Sequence, residues 1–219
     1  MSLLLATALA LTTCLALPPA GDPCMAVMDL VAGRLSPTAT LAAIGDAHRD
    51  AVPALADALA ASPDPGTAGK LLEVLAAVGI WGDEGAIRPW LFSPDPETAA
   101  LATLAFAEVG GARAVPTLEH MVRSRHSFDA TQIAIAVLAE RRQTASFLTL
   151  AHFAEDESRD PILRAQAVRA LPAVDAAKTR RWLQALKLPP QTPAFVRAEL
   201  DRQLASFGLA PTRLAPASR

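Results

Sequence analysis

The chain has 219 residues, of which 52% are hydrophobic and 19% are charged, and its formal net charge is −2. This length suits one domain or a short repeat array, and a net charge near zero argues against a chain built as a whole to bind nucleic acid. The two cysteines, Cys14 and Cys24, both precede the repeated part of the sequence, which excludes a disulfide framework for the fold.

The N-terminal stretch 3–17 is uncharged and apolar, and Pro18-Pro19 interrupts it. A run of this length is short for a membrane span and is typical of the apolar region of a secretory signal. We therefore predict that residues 1–20 are a signal peptide, that the protein is exported to the periplasm or the medium, and that the mature chain has no membrane span. No Lys or Arg precedes the run, so an N-terminal apolar helix in a cytoplasmic protein is the alternative. A lipid anchor at Cys14 is a less favoured alternative, because Thr13 stands where a lipidation motif has Gly, Ala or Ser.

A stretch of unusual composition occurs twice: Ser62-Pro63-Asp64-Pro65 returns as Ser93-Pro94-Asp95-Pro96, 31 residues later. An Asp carboxylate can accept hydrogen bonds from the free N–H groups of a first helical turn, and Pro is tolerated at the first helical position. Each copy therefore predicts the start of a helix. Capping residues followed by Pro or Ala recur at similar spacing and predict helix starts at Ser36, Asp64, Asp95, Asp129, Asp160 and Thr192.

Each of these starts, except the last, is followed by two apolar segments, and the second segment carries an apolar-Pro-x-Leu signature or a degraded form of it. The apolar residues of the first segments recur at the helical period, which predicts one buried stripe per helix. The clearest stripes are Leu71, Leu72, Leu75 and Val78 in one copy, and Leu101, Leu104, Ala105 and Val109 in the next. The second segments place a leucine at equivalent positions, which are Leu55, Leu91, Leu118, Leu148 and Leu183.

Repetition at this period indicates helix pairs that bury their apolar faces only by stacking on their neighbours. The predicted fold class is all-α: a right-handed α-solenoid of about five antiparallel helix pairs over residues 24–207. A last helix, from Pro193 to about Phe207, caps the array and stops at Gly208. Its predicted buried side consists of Phe195, Leu200, Leu204 and Phe207. Residues 208–219 are predicted to form a flexible tail.

Three turns and the second segments that follow them carry a more specific pattern. They are Gly45-Asp46 with Val52-Pro53-Ala54-Leu55, Gly82-Asp83 with Pro89-Trp90-Leu91, and Gly110-Gly111 with Val115-Pro116-Thr117-Leu118. In this pattern residues 36–187 resemble HEAT repeats, most nearly the short bacterial type first described in phycobilisome lyases. The fourth unit departs from the pattern, since it has neither the Gly-Asp turn nor the Pro. Tetratricopeptide repeats fit less well, because the chain contains no Tyr. The resemblance implies a protein-binding solenoid whose second helices line the concave face, and it implies no lyase chemistry.

Residue types suited to catalysis or metal binding do not cluster in this sequence. Its four histidines, His48, His120, His126 and His152, have no metal-ligand neighbour at helical spacing. No nucleophile-elbow, phosphate-loop or dinucleotide-binding pattern occurs. The sequence therefore predicts a protein that is not an enzyme and that has no cofactor and no metal site.

One position of the second helices varies in a way that suggests a binding surface. The residues immediately before the equivalent leucines are Ala54, Trp90, Thr117, Phe147 and Trp182. Aromatic and arginine side chains are enriched at binding hot spots, whereas a core position would be more uniform. The predicted partner-binding residues are therefore Trp90, Thr117, His120, Arg123, Phe147, Arg181 and Trp182. The alternative is that the aromatic rings fill gaps between neighbouring second helices, because large apolar groups are usually buried.

The predicted function is that of a monomeric interaction scaffold that binds a protein or peptide partner on the concave face of the array. One alternative follows from an uneven charge distribution, since residues 1–100 hold 4 Lys/Arg and 11 Asp/Glu, whereas residues 101–219 hold 16 and 11. The basic half could bind nucleic acid through Arg123, Arg125, His126, Arg141 and Arg142. A regulatory subunit of an enzyme is a further alternative.

Overall fold

A computed structural model describes residues 22–62, 64–79, 84–124 and 126–211. All regular secondary structure in these ranges is helical, which confirms the all-α prediction. The chain divides into two compact units, Met1–Ala114 and Val115–Arg219. In the described ranges, no helix is both long and apolar enough to cross a membrane. The predictions for residues 1–20 and for most of the tail 208–219 lie outside the described residues.

The first unit consists of helices joined by short turns. They are α1 (Pro23–Val31), α2 (Pro37–Ile44), α3 (His48–Ala60), α4 (Pro65–Val78), the short α5 (Glu84–Ile87) and α6 (Pro96–Gly110). A 3₁₀ segment, Arg88–Phe92, continues α5, and a second one, Gly111–Ala114, follows α6. Helix α4 packs against both α2 and α6, while α3 packs against α1, α4 and α5.

The second unit has the same kind of construction. Its helices are α7 (Val115–Arg123), α8 (Phe128–Glu140), α9 (Phe147–Glu155), α10 (Pro161–Val174), α11 (Ala176–Ala185) and α12 (Ala194–Ser206). Helix α10 packs against both α8 and α12, and also against α9 and α11. Helix α9 packs against α7. In both units the even-numbered helices from α2 onward are the predicted first helices, and the odd-numbered helices from α3 onward are the predicted second helices.

Four of the predicted helix starts are confirmed by side-chain caps. The cap oxygens accept from backbone N–H groups in the first turn: Ser36 from Ala39 at 3.2 Å, Asp64 from Thr67 at 2.8 Å, Asp95 from Thr98 at 2.7 Å and Asp160 from Ile162 at 2.7 Å. The hydrogen bond from the Thr67 backbone lowers the pKa of Asp64, and hydrogen bonds from Thr98 lower the pKa of Asp95. The two Asp residues of the repeated stretch are therefore carboxylates that begin helices.

The other two predicted starts are displaced, by two residues at α8 and by one residue at α12, and their predicted capping residues are wrong. Helix α8 is capped by Ser127, whose hydroxyl accepts from the backbone of Ala130 at 3.3 Å, so that Asp129 lies inside the first turn. Helix α12 has Pro193 at its N-cap position and therefore no side-chain cap, and the hydroxyl of Thr192 donates to the carbonyl of Pro189 at 2.8 Å. Both errors arise where more than one residue type suited to a cap or a turn lies within a few positions, and only tertiary packing selects between them.

Burial confirms the predicted apolar stripe of α4 fully and that of α6 in part. Along α4 the stripe Leu71, Leu72, Leu75 and Val78 is buried. Along α6, Ala105 and Val109 are buried, but Leu104 is 38% exposed. The large side chain that fills the core beside the small residues of α6 is Phe106, which the stripe did not include and which is 0% exposed.

The last helix lies where it was predicted, within one residue at each end. Leu200 and Leu204 are buried as expected, but Phe195 is 54% exposed and the prediction for it is wrong. Gly208 has a φ of +66°, and the N–H of Leu209 donates to the carbonyl of Leu204 at 2.9 Å. This hydrogen bond and the left-handed residue before it form the Schellman arrangement that ends a helix.

A buried carboxylate joins α12 to α10. Glu199 is 3% exposed, and its carboxylate accepts from Arg169 at 3.0 Å, from Gln203 at 2.9 Å and from Arg202. Burial alone would raise the pKa of Glu199, but the hydrogen bonds from Arg169 and Gln203 and the charges of Arg169 and Arg202 lower it below its ordinary value of 4.5. The folded state therefore favours the ionised form.

The Glu199 cluster predicts a specific loss of stability in acid. Because the pKa is lower in the folded state, the unfolded chain binds the proton first as the pH falls. The stabilisation is complete above about pH 4.5 and is lost as the pH falls through the lower folded value. We expect the urea midpoint of the wild type to fall more between about pH 6 and pH 3 than that of Glu199→Gln, measured by circular dichroism. An equal fall of the urea midpoint in the two proteins would contradict this assignment, since the other acidic groups are common to both.

Candidate functional site

The second helices of the second unit carry most of the predicted partner-binding residues. Of these, His120, Arg123 and Arg181 are exposed, Thr117 and Trp182 are half-buried, and Phe147 is 4% exposed. Trp90 belongs to the first unit, where it lies half-buried in the 3₁₀ segment that continues α5. Since neither Trp90 nor Trp182 is buried, their predicted contact with a partner stays a prediction.

The predicted register of the fourth unit is wrong by two residues. Helix α9 begins at Phe147 as α7 begins at Val115, and both residues are 4% exposed. Three positions later, Leu150 and Leu118 are both 0% exposed, whereas Leu148 is 62% exposed. The residue equivalent to Leu118 is therefore Leu150, and Phe147 belongs to the core.

The ring of Phe147 also lies close to the next second helix, α11. The ammonium group of Lys178, on α11, lies 5.9 Å from the centre of the Phe147 ring. The ring therefore lies between two second helices. This is the position that the alternative to the binding hypothesis predicted for the aromatic residues. In the corrected register, the residue before the buried leucine of α9 is Thr149, which is itself 7% exposed and contacts Arg123. The row of positions before the buried leucines of this unit is then Thr117, Thr149 and Trp182.

Polar contacts tie α7 to α9 along this row. Arg123 donates to the hydroxyl of Thr149 at 3.0 Å and lies 3.6 Å from the carboxylate of Glu119. Glu119 in turn accepts from the hydroxyl of Ser146, just before α9, at 2.8 Å. The Arg123 side chain is nevertheless 56% exposed, so it can meet a partner while its position is fixed.

Leu148 lies on the exposed side of α9, next to these contacts. It lines a cavity of about 260 Å³ together with Arg123, Thr149, His152, Phe153, Asp156 and Arg159. Leu148 is the most exposed of the large hydrophobic side chains in the described part of the chain. An exposed leucine beside a concavity with a cation at its edge is the type of feature that accepts an apolar side chain of a partner.

Trp182 is fixed in place on α11. Its indole N–H donates to the carboxylate of Glu155, the last residue of α9. The indole also lines a second cavity, of about 400 Å³, which lies between the C-terminal end of α9, α10, α11 and the segment that leads to α12. The predicted row of partner-binding residues thus reaches from α7 to α11 within one unit, with a cavity at each of two positions.

The histidines do not form a recognisable catalytic arrangement. The ring Nε2 of His120 lies 3.4 Å from the hydroxyl of Ser124 one turn later. Burial lowers the pKa of His126, and the charge of His120 lowers it further, which favours the neutral form of His126. Within the described ranges, no group of three or more His, Cys, Asp or Glu side chains could hold a metal ion.

The arginines of the basic half are partly occupied by the fold itself. Arg159 donates to Asp156 at 2.9 Å, to the carbonyl of Ser124 at 2.8 Å and to the carbonyl of Arg123. Its side chain is 17% exposed, which leaves little of the guanidinium for phosphate groups. Arg125, one of the residues proposed for nucleic-acid binding, lies outside the described residues. The nucleic-acid alternative stays a prediction.

Two features of the second unit had no signal in the sequence. Leu148 was predicted to be equivalent to Leu118, and only the packing of α9 shows that it faces outward. Arg164, on α10, is 3% exposed although arginine is rarely buried. No local pattern marks either position, because both depend on which face of the helix meets its neighbours.

Comparisons of the chain with protein-family models, with curated proteins and with solved structures found no match. The function is therefore inferred from the geometry of the second unit and from the repeat pattern.

Proposed function

We propose that this protein is a non-enzymatic interaction scaffold built from HEAT-like helix pairs that stack as a right-handed α-solenoid. Within the first unit, α2, α4 and α6 pack in succession, and within the second unit α8, α10 and α12 do the same. Such nearest-neighbour packing of successive pairs is the construction of a repeat array. This packing is seen within each unit, so its support for a solenoid does not depend on how the two units are arranged.

A further support is a backbone conformation that recurs at two turns. Gly45, which ends α2, has φ 51° and ψ −126°, and Gly111, which ends α6, has φ 52° and ψ −130°. The φ angles and the ψ angles of the two glycines agree within a few degrees. They lie in a region of backbone conformation that residues other than Gly rarely adopt. The residue that ends two of the first helices therefore has the same backbone conformation, as expected of repeats.

The observation that carries the binding function is the exposure of Leu148. Leu148 lies between two side chains that hydrogen bonds hold in place, the exposed Arg123 and the half-buried Trp182. Arg123 stands on one side of it, on α7, and Trp182 stands on α11, each held by a hydrogen bond to α9. Apolar, aromatic and arginine side chains on a rigid support form the type of surface in which a few residues carry most of the binding energy.

The charges of this surface indicate the chemistry of the partner. Arg123 on α7 and Arg181 on α11 are exposed cations, and Arg123 also lies 3.6 Å from the carboxylate of Glu119. Glu119 and Glu155 accept hydrogen bonds from Ser146 and Trp182, which hold these carboxylates in place. A protein or peptide segment with an apolar side chain next to acidic residues complements the two exposed guanidinium groups.

Leu148→Asp is expected to abolish binding of this partner. A carboxylate at the centre of an apolar contact must lose its hydration on binding, which reduces affinity by at least about thirtyfold at a hot-spot position. The measurement is affinity capture from the native envelope and soluble fractions by the immobilised full chain, with quantitative mass spectrometry of the retained proteins.

The matched control for this experiment is Ile162→Asp. Ile162 is 47% exposed and lies on a first helix, α10, away from the row. A protein retained by the wild type and by Ile162→Asp but lost with Leu148→Asp supports the proposal. Equal retention by the wild type and Leu148→Asp, including retention of nothing by either, contradicts it.

A further inference from the structure

A buried positive charge lines the larger cavity of the second unit. Arg164, near the start of α10, is 3% exposed, and its Nε–H donates to the carbonyl of Ala154 at 3.0 Å. That carbonyl belongs to the last turn of α9, where helix carbonyls lack an intrahelical partner. A guanidinium has five N–H donors, so this bond uses only one of them. Among the described residues, Arg164 makes no other hydrogen bond and no ion pair.

The acidic side chains at the start of α10 and in the lining of the cavity accept hydrogen bonds from groups other than Arg164. The carboxylate of Asp160 caps α10 by accepting from the backbone of Ile162 and Leu163. Glu155 accepts from Trp182, and Glu157 accepts from Gln191 at 3.1 Å. Arg164 is the fourth residue of α10, so the positive end of the helix dipole lies close to its charge. None of these carboxylates forms an ion pair with Arg164, so an anion that enters the cavity would stabilise the buried guanidinium.

The rest of the cavity is largely apolar. Its volume is about 400 Å³, and its lining includes Val168, Trp182, Leu188 and Leu200 beside Arg164. This size lies at the lower end of the range of small-molecule sites. Glu155, Glu157 and Lys187 also line it, and all three are exposed, so the charged residues other than Arg164 stand at its mouth.

We propose that this cavity binds a carboxylate that is attached to an apolar group, with Arg164 as its counter-charge. The planar fork of a guanidinium matches a carboxylate with two parallel hydrogen bonds. Val168, Leu188 and Leu200 would contact the apolar group, and the indole of Trp182 would cover it. The two exposed glutamates disfavour a doubly charged phosphate at the same place.

This carboxylate has two possible sources, a free small acid or the C-terminal residue of a polypeptide. Both present the same chemistry to Arg164. The cavity shares Trp182 with the partner surface proposed above, but Leu148 and Arg123 do not line it, and the acids are tested in the absence of any protein partner.

The experiment is isothermal titration of the full chain with N-acetyl-leucine and with N-acetyl-leucinamide. The acid is expected to bind and the amide to bind at least about tenfold more weakly, since a charge-assisted hydrogen-bond pair is lost. Arg164→Met, which keeps an unbranched stem but shortens the side chain and removes its charge, is expected to weaken binding of the acid by at least about tenfold. An acetylated tetrapeptide that ends in Leu, with a free or an amidated C-terminus, identifies the source. Tighter binding of the free peptide than of N-acetyl-leucine assigns the site to polypeptide ends, and equal binding assigns it to small acids.

A pair of surface variants keeps the test valid if Arg164→Met does not fold. Ala185 is exposed and lines the cavity, so Ala185→Glu adds a carboxylate at the mouth and is expected to weaken binding of the acid. Ala177 is exposed on the same helix and does not line the cavity, so Ala177→Glu is expected to leave binding unchanged. The proposal is overturned if N-acetyl-leucine does not bind at about 10 mM, if the amide binds equally well, or if neither Arg164→Met nor Ala185→Glu weakens binding.

Discussion

A Phe106→Ala variant is expected to unfold with a free energy about 3 to 5 kcal/mol below that of the wild type. Phe106 is among the largest of the fully buried side chains and is 0% exposed. The guanidinium of Arg88 lies 5.6 Å from the centre of its ring, so the substitution removes a cation–π contact together with the dispersion contacts of the ring. Ala102 and Ala105, on the same helix, are too small to fill the space that the ring leaves.

The measurement is urea unfolding followed by circular dichroism, in which a loss of this size lowers the midpoint by about 2 M. Phe92→Ala is the matched control, because it makes the same chemical change in the same unit at a side chain that is 53% exposed. The control is expected to lose less than about 1 kcal/mol. If the two variants lose equal stability, Phe106 is not the centre of this core.

The helix starts show how much of the fold local chemistry predicts. Asp64, Asp95 and Asp160 were identified from an Asp-Pro pair before an apolar run, and all three accept from a first-turn N–H. A cap and the Pro beside it act on adjacent residues, so the sequence contains the whole signal. Asp129 failed because Ser127, two residues earlier, is an equally good cap.

The register of the fourth unit shows where such prediction ends. Phe147, Leu148 and Leu150 lie within one helical turn, and the missing Pro removes the marker that fixes the phase in the first three units. The helical period alone is compatible with more than one buried face in so short a run. The contacts of α9 with α7 and α10 bury Phe147 and Leu150 and leave Leu148 outside.

The candidate site was predicted in outline only, for the same reason. The second helices and the residues Arg123 and Trp182 follow from the repeat pattern, because equivalent positions of a repeat face the same way. Arg164 and Glu199 could not be found in this way, since charged residues are normally assigned to the surface. Their burial depends on pairs of helices, such as α10 with α12, that no local pattern identifies.

Alanine substitutions at Gly45 and at Gly111 are each expected to lower the free energy of unfolding by about 1 to 3 kcal/mol. Both residues have a φ near +50° together with a strongly negative ψ, where a Cβ collides with its own backbone. At Gly45 a Cβ would meet only the carbonyl of Ala42, at 3.9 Å, so crowding by neighbours does not contribute. At Gly45 the expected loss therefore measures backbone strain, whereas Gly111 is also buried.

Gly69→Ala provides the control with the opposite sign. Gly69 lies inside α4, and a Cβ there would meet the Leu101 side chain at 3.6 Å, an ordinary van der Waals contact. The same chemical change should then raise the free energy of unfolding by about 0.5 to 1 kcal/mol, because it restricts the unfolded chain and suits the helix. Urea unfolding of the three variants at one pH measures both signs. Similar losses at Gly45 and Gly111 beside a gain at Gly69 would show that the two turns are one structural element used twice, whereas a neutral result at either turn would remove the backbone support for the repeat.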